Sequence, residues 1–596
     1  MPLSPAVFKQ VQDLRLANDY VRLRALCQRL LAKDPEDVVL NAYMGQALRE
    51  ENAFARALYF AHKAAAGAPN NADLAYELAI TLWKCGRVEE GCKAAERALE
   101  LDPSGMYIHT ARIKMLEELN RFDEMVDAAS VAVERYPADI PLRCGRSLGL
   151  AMAGRADEAS LLACQSLMDF PSSVEIAELA CFCHNYVSGF TRERVFEVHR
   201  NYGRLVQQTA CDPPVRVHTD ANPDRRINIA VMSSDLRQHS VGFFIEPFLR
   251  HYDKSRFHVT AWSCGAPHDH VSERMKGLVD QWRPEISKTH VEFSALIRQS
   301  KPDILLELNG ITQGHMLHTA FLRVAPVQCS YIGYPNTTGM DNVDYRIVDS
   351  LTDPPGEPYF SDRYATEKLV RLDPCFLCYE PRVEAVPGLG VRSDDPSAAI
   401  TFASFNATFK INDQIICLWK RVVEGVPGSR FIIKSAAIKT AGMVESIKRA
   451  FGRNGFDLSR LDVRMGTERV VDHLEIYNEV DIALDTFPYH GTTTTCEAML
   501  MGVPVVVLAG RAHASRVGVS LLTNVGLPEL VAGSEEEYVQ IACGLAGDRA
   551  RLRGLQGSLR SRLLGSTLCD AQGYSRNLQS LLVGLWQGYC RGRAKS

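Results

Sequence analysis

The stretch "DIALDTFPYHGTTTTCEAMLMGVPVVVLAG", residues 481–510, places one glycine and four consecutive threonines between two apolar runs. Its first part, Asp481–Thr486, has the pattern of a buried strand, Cys496–Met501 that of a helix, and Val503–Leu508 that of a second strand. The threonines are therefore predicted at a strand-to-helix turn. In an open α/β sheet the free N–H groups of such a helix face the crevice where ligands bind, and phosphate suits them well.

A capping box is the alternative explanation of the same turn. Thr494 and Glu497 stand at the Thr-x-x-Glu spacing, in which the two side chains satisfy N–H groups at the start of a helix. A turn closed in this way needs no ligand. The turn alone favours neither explanation, so the rest of the chain has to discriminate between them.

Length and composition limit the class of protein. A chain of 596 residues is too long for one core and predicts about three or four domains. Apolar residues make up 46%, charged residues 23%, and the net charge is −4, without the basic excess of nucleic-acid-binding proteins. No apolar run reaches the roughly 18 residues of a membrane span, and the first twenty residues lack a signal-peptide core. We expect a cytoplasmic protein with no nucleic-acid or membrane partner.

The first third of the chain repeats every 34 residues. Small residues recur in phase, Gly45 with Ala79 and Ala57 with Gly91, and are expected to let paired helices approach closely. This period resembles that of tetratricopeptide repeats, with about five units over residues 4–173. Such a solenoid usually binds a peptide or protein, and a helical platform that only supports the rest is the alternative. The residues that mark the period are the prolines Pro35, Pro69, Pro103, Pro137 and Pro171, and the turn residues Asn18, Asn52, Gly86, Asn120 and Gly154.

Two series of short apolar runs, separated by helical stretches, follow the repeats. The first contains "INIAVMSSD", "FHVTAWSCG", "PDILLELNG", "VQCSYIGYP" and "YRIVDS", and the second "AAITFASFN", "SRFIIKSA", "LDVRMG", "DIALDTF" and "VPVVVLAG". This alternation predicts two doubly wound parallel-sheet domains that face each other across a cleft. With the linker at 381–397, the predicted domains are a helical solenoid at 1–210 and α/β halves at 225–385 and 395–590.

The common nucleotide-binding and metal-binding motifs are missing from both halves. Neither opens with Gly-x-Gly-x-x-Gly or a Walker loop, and Gly388 and Gly390 form only a Gly-x-Gly inside the linker. Dehydrogenase and ATPase functions therefore lose their main support. No Asp-x-Asp follows a strand as a metal site, so we expect a diphosphate to be used without a metal and without a cofactor.

Several long motifs in one order carry a family resemblance: "SSDLRQHSVGFF", "LNGITQGH", "GYPNTTGMDNVDYRIVDSLTDPP", "FNATFKIND" and "DTFPYHGTTTTCEAMLMGVP". With the repeats before them, they resemble the protein O-linked N-acetylglucosamine transferase family, which includes the SPINDLY branch. The resemblance covers nearly the whole chain. It implies an inverting, metal-independent glycosyltransferase of the GT-B fold, which moves a sugar from a nucleotide sugar to Ser or Thr of a protein.

The resemblance leaves the donor and the acceptor open. "GYPNTTG", "CFLCY" and "GTTTTCE" are closer to the SPINDLY branch, which implies GDP-fucose, whereas the other branch more often has His-Thr-Thr in place of Thr492, Thr493 and Thr494. UDP-N-acetylglucosamine and the activated nonulosonic acids of flagellin-modifying relatives remain alternatives. A groove of five repeats favours one dedicated acceptor protein, of which bacterial flagellin is an example. Removing the repeats before residue 211 is expected to impair acceptor modification far more than donor hydrolysis.

The resemblance assigns the donor site to four places in the second half. Lys410 matches the family lysine at the donor diphosphate, where its charge would offset that of the leaving nucleotide. Thr492–Thr494 match the turn at the phosphates, and Glu497 matches a carboxylate that accepts hydrogen bonds from the ribose hydroxyls. His473 aligns loosely with a residue that contacts the nucleotide.

In the first half, His239 matches a family histidine beside the acceptor. Imidazole titrates near neutral pH, so His239 is expected to act as a base or to orient the acceptor hydroxyl. Tyr334, Pro335, Thr337 and Thr338 are predicted to form a polar turn that lines the cleft, and a purely structural turn is the alternative.

A protein of another class remains the second hypothesis. In it the solenoid binds a partner while the transferase part is degenerate, so that the chain is a non-catalytic adaptor. The intact Lys410, threonine turn and Glu497 favour the enzyme.

Overall fold

A computed structural model describes residues 5–210, 213–215, 217, 220–285, 288–381, 386–390 and 398–593. The chain folds into two compact units, residues 1–153 with 439–443 and residues 154–438 with 444–596. Most of the predicted linker, with the domain limits predicted at residues 385 and 395, lies outside the described residues.

The first compact unit is built from helices joined by short turns. The turn residues that mark the period all have positive φ, between 54° for Asn18 and 79° for Gly154. This is the left-handed conformation that Gly and Asn tolerate best at the end of a helix, and it confirms the 34-residue pattern. The helices are α1 (Pro5–Leu16), α2 (Tyr20–Leu31), α3 (Val38–Glu50), α4 (Phe54–Gly67), α5 (Ala72–Lys84), α6 (Val88–Leu101), α7 (Met106–Glu118), α8 (Phe122–Arg135) and α9 (Ile140–Met152).

Small residues set the spacing of these helices, as the sequence predicts. A Cβ on Gly45 in α3 would lie 3.3 Å from the backbone nitrogen of Ala61 in α4, and one on Gly91 in α6 would lie 2.9 Å from the carbonyl oxygen of Ala79 in α5. A second set of residues with the same period, not recognised from the sequence, lies at the N-terminus of the first helix of a pair. Asp37, Asn71 and Asp139 are N-caps whose side chains each accept a hydrogen bond from a backbone N–H.

Three further helices belong to the second compact unit: α10 (Ala156–Asp169), α11 (Val174–His184) and α12 (Arg192–Thr209). Cys181 of α11 and Tyr202 of α12 are fully buried in one core with Ala230 and Leu305 of the first sheet. The compact unit therefore begins at residue 154, before the predicted domain limit at residue 210, because α11 and α12 bury their apolar faces on the α/β part.

The first sheet is entirely parallel and has the strand order β3-β2-β1-β4-β5-β6-β7. All five strands predicted from sequence are present, and β3 and β7 were not predicted. Polar residues occupy the edge strand β3, so it lacks an apolar run. The elements are β1 (Ile227–Ser233), α13 (Ser240–His251), β2 (Phe257–Ser263), α14 (His270–Lys276), β3 (Gln281–Pro284), α15 (His290–Gln299), β4 (Ile304–Glu307), α16 (Leu317–Phe321), β5 (Val327–Ser330), β6 (Tyr345–Val348) and β7 (Lys368–Arg371).

The second sheet is also parallel, in the order β10-β9-β8-β11-β12-β13. Its five predicted strands are present, and only the two-residue strand β13 was not predicted. The elements are β8 (Thr401–Ser404), α17 (Asp413–Gly425), β9 (Arg430–Lys434), α18 (Ala441–Arg453), β10 (Leu461–Arg464), α19 (Val470–Glu475), β11 (Ile482–Leu484), α20 (Thr493–Leu500), β12 (Val505–Leu508), α21 (Val517–Asn524), β13 (Val531–Ala532), α22 (Glu535–Gly547), α23 (Arg549–Leu564) and α24 (Ala571–Arg593).

The last helix, α24, returns from the second half to the first. The Gln579 side chain accepts a hydrogen bond from the backbone N–H of Asp253 at 2.9 Å, and the Trp586 indole donates to the carbonyl of Asn222 at 3.2 Å. The predicted fold class, helical repeats followed by two doubly wound parallel sheets, is confirmed. Among the described helices, none is long and apolar enough to cross a membrane.

Candidate active site

The strand order brings two loops of the second half together. In this sheet β8 and β11 are neighbours, although about eighty residues separate them in sequence. Connections leave these two strands in opposite directions, which makes the gap between their carboxyl ends the place where α/β sheets bind ligands. The Lys410 loop follows β8 and the threonine turn follows β11, so both of them lie at this point.

The threonine turn does not form the capping box. Helix α20 begins at Thr493, so Thr494 lies inside the helix, and its hydroxyl donates to the Asn406 side-chain oxygen at 3.1 Å. Glu497 is directed to His473. The N–H groups of Thr493 and Thr494 have no acceptor in the part of the chain that the structure describes, which leaves them for a ligand.

Gly491 explains why a glycine precedes the threonines. A Cβ at this position would lie 2.5 Å from the Thr494 hydroxyl, 2.8 Å from that of Thr495 and 2.9 Å from the Asn406 side-chain oxygen. Its N–H donates to an Asp485 carboxylate oxygen at 2.8 Å. The hydroxyls and the carboxylate therefore fold the turn tightly against the loop that follows β8.

Lys410 ends a short 3-10 turn, Thr408–Lys410, beside this threonine turn. Its ammonium donates to the carbonyl oxygen of His490 at 2.7 Å and lies 4.1 Å from the centroid of the Tyr489 ring. Burial lowers the pKa of Lys410 to about 8, with the Asp485 carboxylate acting in the opposite direction. At neutral pH the side chain is thus still mostly cationic, and in a poorly hydrated place where its charge acts strongly.

Glu497 and His473 form a hydrogen-bonded chain with Lys434, a residue that sequence reasoning missed. The Lys434 ammonium lies 2.6 Å from His473 Nδ1, and His473 Nε2 lies 3.2 Å from a Glu497 carboxylate oxygen. Burial lowers the pKa of Lys434 to about 8, and Glu497 raises it. If Lys434 donates to Nδ1, Nε2 carries the ring proton and donates to Glu497. The sequence signal that could have identified Lys434 is a lysine at the end of the apolar run that forms the buried strand β9.

His239 follows β1 and is the N-cap of α13, where its Nδ1 accepts the N–H of Val241 at 3.3 Å. With 47% of its side chain exposed, the ring is accessible to a substrate. Burial of part of the ring lowers the pKa of His239, Asp235 raises it and Arg237 lowers it. The lowered pKa favours the neutral imidazole, and in that form the hydrogen bond accepted by Nδ1 leaves the ring proton on Nε2.

The first half contacts the threonine turn directly. Ser240, the residue after His239, has its hydroxyl 2.8 Å from the hydroxyl of Thr493. The loop after β1 and the turn after β11 therefore meet. His239 and the predicted phosphate turn belong to one site, even though they lie in different halves of the chain.

Buried side chains fill the turn that contains Tyr334, Pro335, Thr337 and Thr338. The two threonine hydroxyls donate to the Glu367 carboxylate, Thr337 at 2.6 Å. These hydroxyls are thus used inside the protein, as in the structural-turn alternative. The Tyr334 hydroxyl also bonds inward, to the helical segment that precedes the first sheet.

A second contact between the halves lies at the loop before α21 and was not predicted as a functional feature. His513 Nδ1 is 2.5 Å from an Asp353 carboxylate oxygen, and both side chains are buried. Ser520 donates to Asp349 at 2.7 Å, and the Arg516 guanidinium donates to the carbonyl of Leu351 at 2.8 Å. These contacts fix the two halves relative to each other.

Comparison with known proteins identifies relatives of the α/β part. A model of glycosyl transferase family 41 matches residues 191–382 and 390–578. The chain is 37% identical over 434 residues to the probable UDP-N-acetylglucosamine–peptide N-acetylglucosaminyltransferase SPINDLY of Arabidopsis thaliana, covering 72% of this chain and 46% of the relative. It is 24% identical over 481 residues to the UDP-N-acetylglucosamine–peptide N-acetylglucosaminyltransferase of Caenorhabditis elegans, covering 62% and 41%.

The chain thus spans about half the length of the curated relatives that it matches. A solved structure extends the similarity to the whole chain. A lysine-to-methionine mutant of the Thermobaculum terrenum O-GlcNAc transferase has a TM-score of 0.64 and 26% identity, covering 99% of this chain and 98% of that one. These findings confirm the resemblance stated from the sequence motifs. Since the family model matches more than half of its residues, the chain belongs to glycosyl transferase family 41.

Proposed function

We propose that this chain is a protein O-glycosyltransferase, which moves a sugar from a nucleoside-diphosphate sugar to Ser or Thr of an acceptor protein. One observation carries the proposal: the partly buried Lys410 has its ammonium beside a helix start where the N–H groups of Thr493 and Thr494 have no acceptor among the described residues. Both features favour an anion at the same place. The relatives are named as peptide glycosyltransferases, which agrees with this chemistry.

Each residue of the site has a distinct part in this reaction. The acceptor hydroxyl oxygen bonds to the anomeric carbon while the bond from that carbon to the diphosphate breaks, and the hydroxyl proton passes to an oxygen of the leaving diphosphate. Lys410 and the N–H groups of Thr493 and Thr494 stabilise the negative charge that develops on the leaving diphosphate. Glu497, oriented by His473, accepts hydrogen bonds from the ribose hydroxyls. No step in this scheme requires a metal, because Lys410 and the helix start supply the positive charge.

His239 is expected to orient the acceptor rather than to take its proton, because the lone pair of Nδ1 is already occupied by Val241. His239→Asn can still accept that N–H, since asparagine is a good N-cap, and it can still donate a hydrogen bond. We expect His239→Ala to lose about 100-fold in kcat/KM and His239→Asn clearly less. Activity should also persist below the ordinary histidine pKa, because the pKa of His239 is lowered. Equal, near-complete loss in both variants would instead identify His239 as the base.

A thermal-shift screen with UDP-N-acetylglucosamine, GDP-fucose and a CMP-linked nonulosonic acid tests the proposed donor class. A donor at about one hundred times its Kd should stabilise the fold by about 2.7 kcal/mol. The stabilisation should disappear in Lys410→Ala and remain in Lys448→Ala, whose lysine is paired with Glu445 away from the site. A shift with the CMP sugar alone would contradict a diphosphate donor, and no shift with any donor would favour the adaptor hypothesis.

The acceptor is proposed to be a protein held by the helical repeats. Flagellin is the acceptor that the resemblance to flagellin-modifying relatives suggests. Mass spectrometry of purified flagellin incubated with the chain and its donor would test this choice. Modification of many unrelated proteins would contradict a dedicated acceptor, and binding without any sugar transfer would support the adaptor.

A further inference from the structure

The loop after α11 contacts the residues that surround Lys410. The ring of Tyr186 is stacked on that of Tyr489, with centroids 5.2 Å apart and planes inclined by 13°. The same Tyr489 ring receives the ammonium of Lys410 at 4.1 Å. One aromatic ring therefore connects the helical segment before the first sheet to the lysine at the candidate diphosphate site.

Tyr186 touches the Lys410 loop at two more places. Its ring packs edge-to-face on Phe409, the residue before Lys410, with centroids 5.2 Å apart. Its carbonyl oxygen accepts a hydrogen bond from the Asn412 side chain at 3.3 Å. The residues before and shortly after Lys410, and the ring beneath its ammonium, thus share one neighbour.

The position of Tyr186 is itself fixed by the first half. The preceding residue, Asn185, donates to the Tyr334 hydroxyl at 2.8 Å and accepts from the Asn336 side chain at 3.1 Å. Tyr186 is buried in a cluster with Ala156 and Val187. The segment therefore has no freedom to move away from Lys410 without breaking contacts on both sides.

We propose that Tyr186 is a positioning residue that holds Lys410 against the donor diphosphate through Tyr489 and Phe409. The proposal rests on the proposed role of Lys410 in the transfer reaction. It makes the loop after α11, which lies outside both sheets, a part of the donor site.

Burial connects this geometry to the charge of Lys410. The charged and titratable groups around its ammonium are the Asp485 carboxylate, the His490 imidazole and the phenols of Tyr489 and Tyr186. Burial raises the pKa of Tyr489 to about 12 and also raises that of Tyr186, so both phenols stay neutral, and burial lowers the pKa of His490. Removing the Tyr186 ring admits water, which should raise the pKa of Lys410 from about 8 toward its ordinary value.

The test measures the Kd of GDP and of UDP for the intact chain and for Lys434→Ala between about pH 7 and 9, where the lysines of the site titrate and the phosphates do not. Because the pKa of Lys434 is also lowered to about 8, the Lys434→Ala protein isolates the titration of Lys410. Affinity of the parent protein should fall as the pH rises through the Lys410 pKa. Tyr186→Leu should bind GDP and UDP about 10-fold more weakly at the lower end of this pH range. Its loss of affinity with rising pH should occur about one pH unit higher than in the parent protein. Tyr186→Phe keeps the ring and should restore both the affinity and the pH dependence.

Phe182→Leu is the control for the Tyr489 contact, because Phe182 packs on Tyr186 at 5.0 Å and on Phe409 at 6.2 Å but makes no ring contact with Tyr489 among the described residues. It should leave the pH dependence unchanged. The positioning role would be overturned if the affinity of Tyr186→Leu fell at the same pH as that of the parent protein. It would also be overturned if Phe182→Leu displaced this fall along the pH axis as far as Tyr186→Leu does. Unchanged binding in Lys410→Ala would instead refute the role of Lys410, which distinguishes failure of the proposed function from failure of this inference.

Discussion

Lys410→Ala is expected to lower the rate of sugar transfer by about 100- to 1000-fold, the usual cost of removing one preorganised group that stabilises developing charge. Lys410 is a partly buried cation at the carboxyl ends of β8 and β11, and its ammonium donates to the carbonyl oxygen of His490. Single-turnover measurements with saturating donor isolate this step from product release.

The pH dependence of the parent protein provides an independent check. Because Lys410 acts as a cation and burial lowers its pKa to about 8, kcat/KM should be maintained at neutral pH and fall above about pH 8. Lys448→Ala removes an exposed lysine on α18 and should change neither the rate nor this profile. Near-parental turnover in folded Lys410→Ala would refute the assignment.

Deleting residues 1–210 is expected to abolish cooperative folding of the remaining chain. The deletion removes α11 and α12, whose residues Cys181, Tyr202 and Val206 are buried in the core of the first sheet. Each large buried side chain contributes about 1.5–3 kcal/mol, so losing several approaches the roughly 5–15 kcal/mol by which a protein is stable. This expectation replaces the one drawn from the sequence, that such a truncation impairs acceptor modification far more than donor hydrolysis.

Deleting residues 1–153 is the matched control, since this cut falls at the limit between the two compact units. The shorter deletion should keep a cooperative thermal transition and donor binding, while modification of the acceptor protein is lost. A cooperative transition together with donor binding after removal of residues 1–210 would contradict the structural role of α11 and α12. Circular dichroism and the thermal shift with the donor measure both properties.

Features that depend on near neighbours in the chain were predictable from the sequence. The left-handed turns at Asn18, Asn52, Gly86 and Asn120 were visible because only a few residue types adopt that backbone conformation easily. All ten predicted strands were found because the strands of a buried parallel sheet are short, continuous apolar runs. Strands β3, β7 and β13 lack such runs and were missed for the same reason.

The chemistry of the site needed the tertiary structure, and so did the choice between the two explanations of the threonine turn. The sequence by itself determined the helical repeats, the two parallel sheets and the presence of a hydroxyl-rich turn before α20. Only the strand order decided that Lys410 lies beside that turn, and only packing brought Lys434 to His473 and Tyr186 to Tyr489. The reason is physical: periodicity and turn conformation depend on residues a few positions apart, whereas these contacts join residues from about forty to three hundred positions apart, which only the packed core brings together.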